Sequence, residues 1–364
     1  MVKMGKKRLI ILIIAGIILS GGVIFGVVIF ATWGEYKYSN TYYYDPGIPS
    51  SLEKVSFSSN VGSINVKYNT TPTNFAVKID LDIKVSGGFV AGKSFSDFFH
   101  PIIWLNESVP VTTFSLQNKP SASFIFPIIQ RIIINVTLRT DIQQYDIVAS
   151  SNTGSINLDI PDNMELNNTI LATDTGSITL DVSDNVVFGG NVQVGTSTGS
   201  VYVYAQNANF SQGLTSASTT GSLTLNFTNC FMGDDLSGTV STGSINLKSY
   251  NMIYSQNSIL GFQTSTGSIS ASIYQYIDMS ANVTGSMITS TGSVNVYYID
   301  NQPSVGASFL GAWSTGSYNR VNSGGFAAIS TNPFNSLDYG TATSRYTLSL
   351  TTSTGSINVD GTSS

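Results

Sequence analysis

Cysteine and histidine occur once each in 364 residues, as Cys230 and His100. A lone cysteine excludes an intramolecular disulfide framework and reads as a small buried apolar residue. A lone histidine excludes His-rich metal sites and leaves any His-based triad only His100, inside an apolar stretch. Charge is scarce too: Asp, Glu, Lys and Arg make up 10% of the chain, against the usual quarter. The formal charge is −5 and the one basic cluster is Lys3, Lys6, Lys7 and Arg8, so nucleic acid is not an expected partner. Mean hydropathy is +0.15, which excludes the low-hydrophobicity, high-charge profile of a disordered chain. The polar remainder is mostly Ser, Thr, Asn and Gln, the composition of a β-rich protein with uncharged faces.

What is present begins with an uncharged apolar run, Leu9 to Thr32. As a helix it would span roughly 36 Å, enough for a hydrocarbon core of about 30 Å. It is too long for a signal-peptide core. The basic residues before it place the N-terminus in the cytoplasm. Residues 1–8 therefore read as a cytoplasmic stub and 9–33 as a transmembrane helix. The expected location is the cell membrane, single-pass, with the C-terminal part outside. Gly22-x-x-x-Gly26 offers a helix-dimer face. Residues 34–50, with Pro46, Pro49 and no evident periodicity, read as a spacer.

A 22–25-residue repeat is the main signal. Gly154, Gly176, Gly199, Gly221, Gly243, Gly267 and Gly292 each sit in Thr-Gly-Ser, and the motif returns at Gly316 and Gly355. Val61-Gly62-Ser63-Ile64 is an earlier relative. The second and fourth residues after each of these glycines up to Gly292, and after Gly355, are apolar, as in Ile156 and Leu158, with a polar or amphipathic residue between. Period two marks a half-buried strand, and glycine supplies the corner that turns the chain into it. One such unit cannot bury its apolar residues alone; stacked units can. The expected fold is all-β, a β-solenoid of stacked parallel coils preceded by the transmembrane helix. Residues 51–150 form its N-terminal coils and a cap with an apolar insert, 151–300 the regular repeats, and 301–364 loop-rich C-terminal coils and a cap.

The repeated S/T-T-G-S-I-x-L/V unit, with its lead-in Leu138 to Ile160, resembles the adhesin β-solenoid family of bacteria and archaea. That resemblance covers 130–300 well. It implies a surface protein built on glycine-cornered coils and supplies no catalytic residues.

Chemistry is sparse. Asp159 and Asp181 occupy equivalent positions of neighbouring repeats, but the column continues as Tyr204, Asn226 and Lys248, so it does not sustain a cation site. No EF-hand loop, dinucleotide fingerprint or Cys/His pairing occurs. The chain is expected to be no enzyme and to need no cofactor or metal. Aromatic side chains are the candidate contacts: Tyr202, Tyr204, Tyr274, Tyr276, Tyr297 and Tyr298 on or beside outward positions, with Trp313 and Tyr318 at the distal end. Such faces stack on sugars or on a partner protein. Asn135 and Asn226 are outward sequons, which permits glycosylation. The expected function is adhesion or cell-envelope interaction, with the membrane and a surface glycan or envelope protein as partners. The alternatives are a self-associating structural stalk and, behind it, a β-helix carbohydrate-active enzyme.

Overall fold

The Thr-Gly-Ser corners behave as their chemistry dictates. In a computed structural model describing residues 34–45, 52–69, 75–87, 90–105, 111–119, 129–142, 144–328 and 330–363, the nine corner glycines from Gly154 to Gly355 have φ between 131° and 146°. Side chains rarely enter that region. Space is equally restrictive: a Cβ on any of them would lie 1.6–2.2 Å from the carbonyl oxygen of the corner glycine stacked beside it.

Each corner feeds a strand whose alternation is real. Ile156–Ile160, Ile178–Val182 and Val201–Gln206 alternate buried and outward residues. Their second residues after glycine stand in parallel register, Ile156 beside Ile178, Ile178 beside Val201, and onward through Leu223, Ile245, Ile269 and Val294. These strands belong to a thirteen-stranded sheet, and the strands that precede the corners form a second large sheet. The apolar core lies between the two.

Two hydroxyl ladders run along the corners. The corner serine accepts from the backbone N–H of the serine in the next repeat, Ser177 N to Ser155 Oγ at 3.3 Å and Ser200 N to Ser177 Oγ at 3.2 Å. Three residues before the corner, a buried Ser or Thr donates to the preceding corner glycine's carbonyl: Thr173 to Gly154, Thr196 to Gly176, Ser218 to Gly199, Thr264 to Gly243, all at 2.9–3.0 Å. Val240 holds that position in the Gly243 repeat, buried and in register between Ser218 and Thr264, and it has nothing to donate to Gly221. Val240→Thr is therefore expected to stabilise the chain by about 1 kcal/mol, the net worth of one hydrogen bond, read as a higher denaturant midpoint at unchanged slope. A second turn in the five repeats from Gly154 to Gly243 uses asparagine in left-handed conformation, Asn163, Asn185, Asn207, Asn229 and Asn251, with φ of 48–63°. Asn tolerates that region because its short amide bonds locally.

Both ends depart from the regular pattern. Residues 34–44, expected to be spacer, form the strand Gly34–Tyr44, which pairs antiparallel with Val77–Gly87. Its inward tyrosines meet the apolar insert: Tyr36 against Phe98 at 5.5 Å, Tyr38 against Phe95 at 4.8 Å, Tyr42 against Trp104 at 6.1 Å. The described part of the insert packs against this strand, with Phe98 and Phe99 buried. At the distal end the repeats leave chain order. The Gly355 repeat (Ser344–Thr354 and Ile357–Thr362) lies between the Gly292 repeat (Val283–Thr291 and Val294–Asp300) and the Gly316 repeat (Val305–Thr315 and Tyr318–Gly324). The reason is local. The outer edge of Val305–Thr315 is already bonded, by Ser336 to Ala307 and by the Asn332 amide to both backbone groups of Gly311. Phe334 pairs with Phe309 there as well. The last repeat has no room outside and sits inside.

These findings correct the expected fold class. The chain is all-β on two large sheets. Over the described residues it is not a uniform run of parallel coils in chain order, and no transmembrane helix stands among them. Among the described residues no helix is long and apolar enough to cross a membrane; the helix seen there is Phe95–Phe98, four residues. The expected span 9–33 lies outside the described residues. The expectation of a single-pass location in the cell membrane is corrected by the same finding.

Candidate tyrosine face

Residues at odd positions after each corner glycine point outward from the thirteen-stranded sheet, and this decides where each candidate aromatic goes. Tyr202 and Tyr204, three and five residues after Gly199, lie outward with rings 6.4 Å apart and 10° from parallel. Tyr297, five after Gly292, is outward and 36% exposed. Tyr298 is the next residue and turns inward. It is fully buried among Phe309, Phe326 and Tyr346, so its place among the binding candidates is corrected: it is core. Tyr318 is corrected in the same way. It stands two residues after Gly316, the inward apolar position, is 8% exposed and donates its hydroxyl to Phe309 O at 2.9 Å. Burial pushes that phenol up to about 12, against an opposing pull from Arg320, whose guanidinium lies over the ring at 4.4 Å. Trp313 is 43% exposed. It occupies the column that holds a buried Ser or Thr in most repeats, and with no further repeat on that side among the described residues the indole rests against Tyr318 at 5.6 Å.

The same parity rule finds a tyrosine not singled out from the sequence, Tyr250, seven residues after Gly243. Tyr250, Tyr274, Tyr276 and Tyr297 form one patch: ring centroids are 6.2 Å apart for Tyr250 and Tyr274, 5.4 Å for Tyr250 and Tyr276, and 5.7 Å for Tyr274 and Tyr297. The Tyr276 phenol is raised above its usual pKa, first by burial and then by its three tyrosine neighbours. It is therefore protonated at neutral pH, able to donate and to accept.

Two shallow grooves adjoin these rings. The one beyond Tyr297 has a volume of about 270 Å³ and is walled by Asn295, Asn319, Asn358 and Val321. Its amides are chained, Asn319 to Asn358 at 2.8 Å and Asn358 to Asn295 at 2.7 Å. Asp360 at its margin accepts from Ser323 at 2.9 Å. The other groove, about 370 Å³, holds Tyr204 beside Asp162, Asp181, Asp184, Gln206 and Asn226. Asp159 and Asp181 are adjacent in register, yet among the described residues no group of three His, Cys, Asp or Glu is placed to hold a metal. Cys230 is buried, and burial pushes its thiol up to about 11. The patch presents flat rings flanked by neutral amides, an arrangement that fits the apolar face and hydroxyls of a sugar.

No family model matches the chain, and no curated protein does. Among solved structures it is similar to a "putative cell adhesion protein" from Clostridium sporogenes, at 12% identity and TM-score 0.26, over 89% of this chain and 99% of that one. It is similar to a "putative adhesin" from Bacteroides fragilis, at 14% identity and TM-score 0.34, over 89% and 97%. It is also similar to a "putative lipid binding protein" from Parabacteroides distasonis, at 10% identity and TM-score 0.39, over 89% and 96%. Neither the identities nor the TM-scores assign the chain to a family.

Proposed function

We propose that the chain is a non-catalytic recognition protein of the adhesion type, and that its outward tyrosine face binds glycan. The observation that carries this reading is the contiguous patch of Tyr250, Tyr274, Tyr276 and Tyr297 opening onto a groove walled by asparagine amides. Tyrosine offers a rigid amphipathic ring at low entropic cost. Repeated weak contacts along such a face add up when the ligand is a polymer. The groove amides suit a neutral sugar, and the carboxylates beside Tyr204 disfavour an anionic one.

The test uses the full chain and a triple variant, Tyr250→Ala, Tyr274→Ala and Tyr297→Ala, with circular dichroism as the check on folding. Binding to neutral and to acidic surface polysaccharides is measured by titration. At about 0.5–1.5 kcal/mol per aromatic contact, three rings should weaken binding to the neutral polymer tenfold or more. A folded triple variant that binds as tightly as the parent sinks the reading. A parent chain that binds no glycan favours a structural stalk.

A further inference from the structure

The out-of-order Gly355 repeat is a segment held between two others that could hold each other. Its strand Ser344–Thr354 is in register with Val283–Thr291 on one side and with Val305–Thr315 on the other. Ile357–Thr362 is sandwiched in the same way between Val294–Asp300 and Tyr318–Gly324. Yet Gly316 follows Gly292 by 24 residues, an ordinary interval of the repeat, so the two flanking repeats carry mutually compatible corners. The slot is defined by what fills it.

We propose that two copies of this chain exchange the Gly355 repeat, each filling the slot of the other. Exchange keeps each strand pairing and changes only which chain supplies the strand, so the two forms differ by the hinge and by any new contact, the usual route to a swapped dimer. The hinge is the turn Asp338–Thr343, where a side chain on Gly340 would meet nothing within 4 Å. The new contact is already marked. Leu310, Trp313, Val321 and Leu337, 43–72% exposed, lie on the strands and the turn at this end of the molecule, open to contact with a second copy. A partner of other chemistry would have no segment shaped to the slot, whereas a second copy has one by identity.

The test places one cysteine in each of two chains. Ser286 and Ser349 are register partners across the slot, both half-buried, and the native Cys230 is buried. Full-length Ser286→Cys and Ser349→Cys chains are refolded together, then oxidised. Exchange predicts a disulfide-linked heterodimer whose yield rises with protein concentration. The chain carrying both substitutions, refolded dilute, reports whether the pair can close within one molecule. A double variant that closes within itself, with no heterodimer from the mixed singles at any concentration, overturns the proposal. Light scattering on the unsubstituted full chain gives the second readout. Mass at the 38.8 kDa of one chain at every refolding concentration also overturns it, as does a dimer that forms without the cross-copy disulfide.

Discussion

Gly243→Ala is expected to be the most damaging small substitution in the chain. The alanine Cβ would sit 1.6 Å from the Gly221 carbonyl oxygen, and φ at this residue is 139°. Holding a side chain in such a conformation costs on the order of 1–3 kcal/mol by itself. The obstructing atom is backbone, so no side chain can rotate away. Moving Gly221 would disturb its own corner, whose Cβ position is already 1.8 Å from Gly199 O. A loss of about 4 kcal/mol or more follows, in the range reserved for severe core or backbone lesions. Urea unfolding followed by circular dichroism measures it. Gly195→Ala is the control: its Cβ would meet nothing nearer than 3.9 Å, and its register neighbours are Ala172 and Ala217. It should be neutral or stabilise by up to about 1 kcal/mol, because alanine fixes a strand better than glycine. A Gly243→Ala chain as stable as its parent would show that the corner can relax.

The second large effect is expected in the core, at Phe210. Its ring is fully buried, stacks on Phe188 at 4.8 Å and 12°, and meets Phe227 edge-on at 5.8 Å. Phe210→Ala removes the ring and leaves a cavity between two rings that cannot both close over it, a loss of about 3–5 kcal/mol. Met232 is the next member of the same column. Phe210→Met keeps an apolar occupant of adaptable shape and should cost far less. Hydrogen exchange distinguishes the two modes of failure. Protection lost only around residues 188–232 would mean local opening, and loss throughout would mean that the stack unfolds as one unit.

The regular middle of the molecule was legible because its rule is local. A glycine fixes the corner, and the residues two and four positions later point into the core whatever their identity. The same counting, carried further, separates Tyr297 from Tyr298, assigns Tyr318 to the core and finds Tyr250. Reading aromatics as a class, without parity, misplaced two of them. The buried hydroxyl column ending in Thr352 and the left-handed asparagines were periodic in the sequence too, at three residues before most corners and at intervals of 22 from Asn163. A search tuned to apolar residues passes over them. The strand Gly34–Tyr44 carries its alternation in tyrosines, interrupted at Asn40, which reads as irregular until the apolar insert supplies the surface that Tyr36, Tyr38 and Tyr42 cover. The order of the last repeats was not legible at all. Gly316 and Gly355 have the same corner chemistry, and what separates them is the capping of one strand edge by Ser336 and Asn332, a contact no short window contains.

The placement of that last repeat has a consequence for the timing of folding. From Gly154 to Gly292 each repeat can dock on the one made just before it, with hydroxyl-to-corner bonds closing over 19–22 residues. The equivalent bond from Thr352 to Gly292 closes over 60. As the chain emerges from the ribosome, the Gly316 repeat is complete while its proper neighbour does not yet exist, and the exposed edge of the Gly292 repeat must wait or accept it provisionally. The molecule therefore grows like a zipper for most of its length and finishes with an insertion, a step limited by loop closure rather than by propagation.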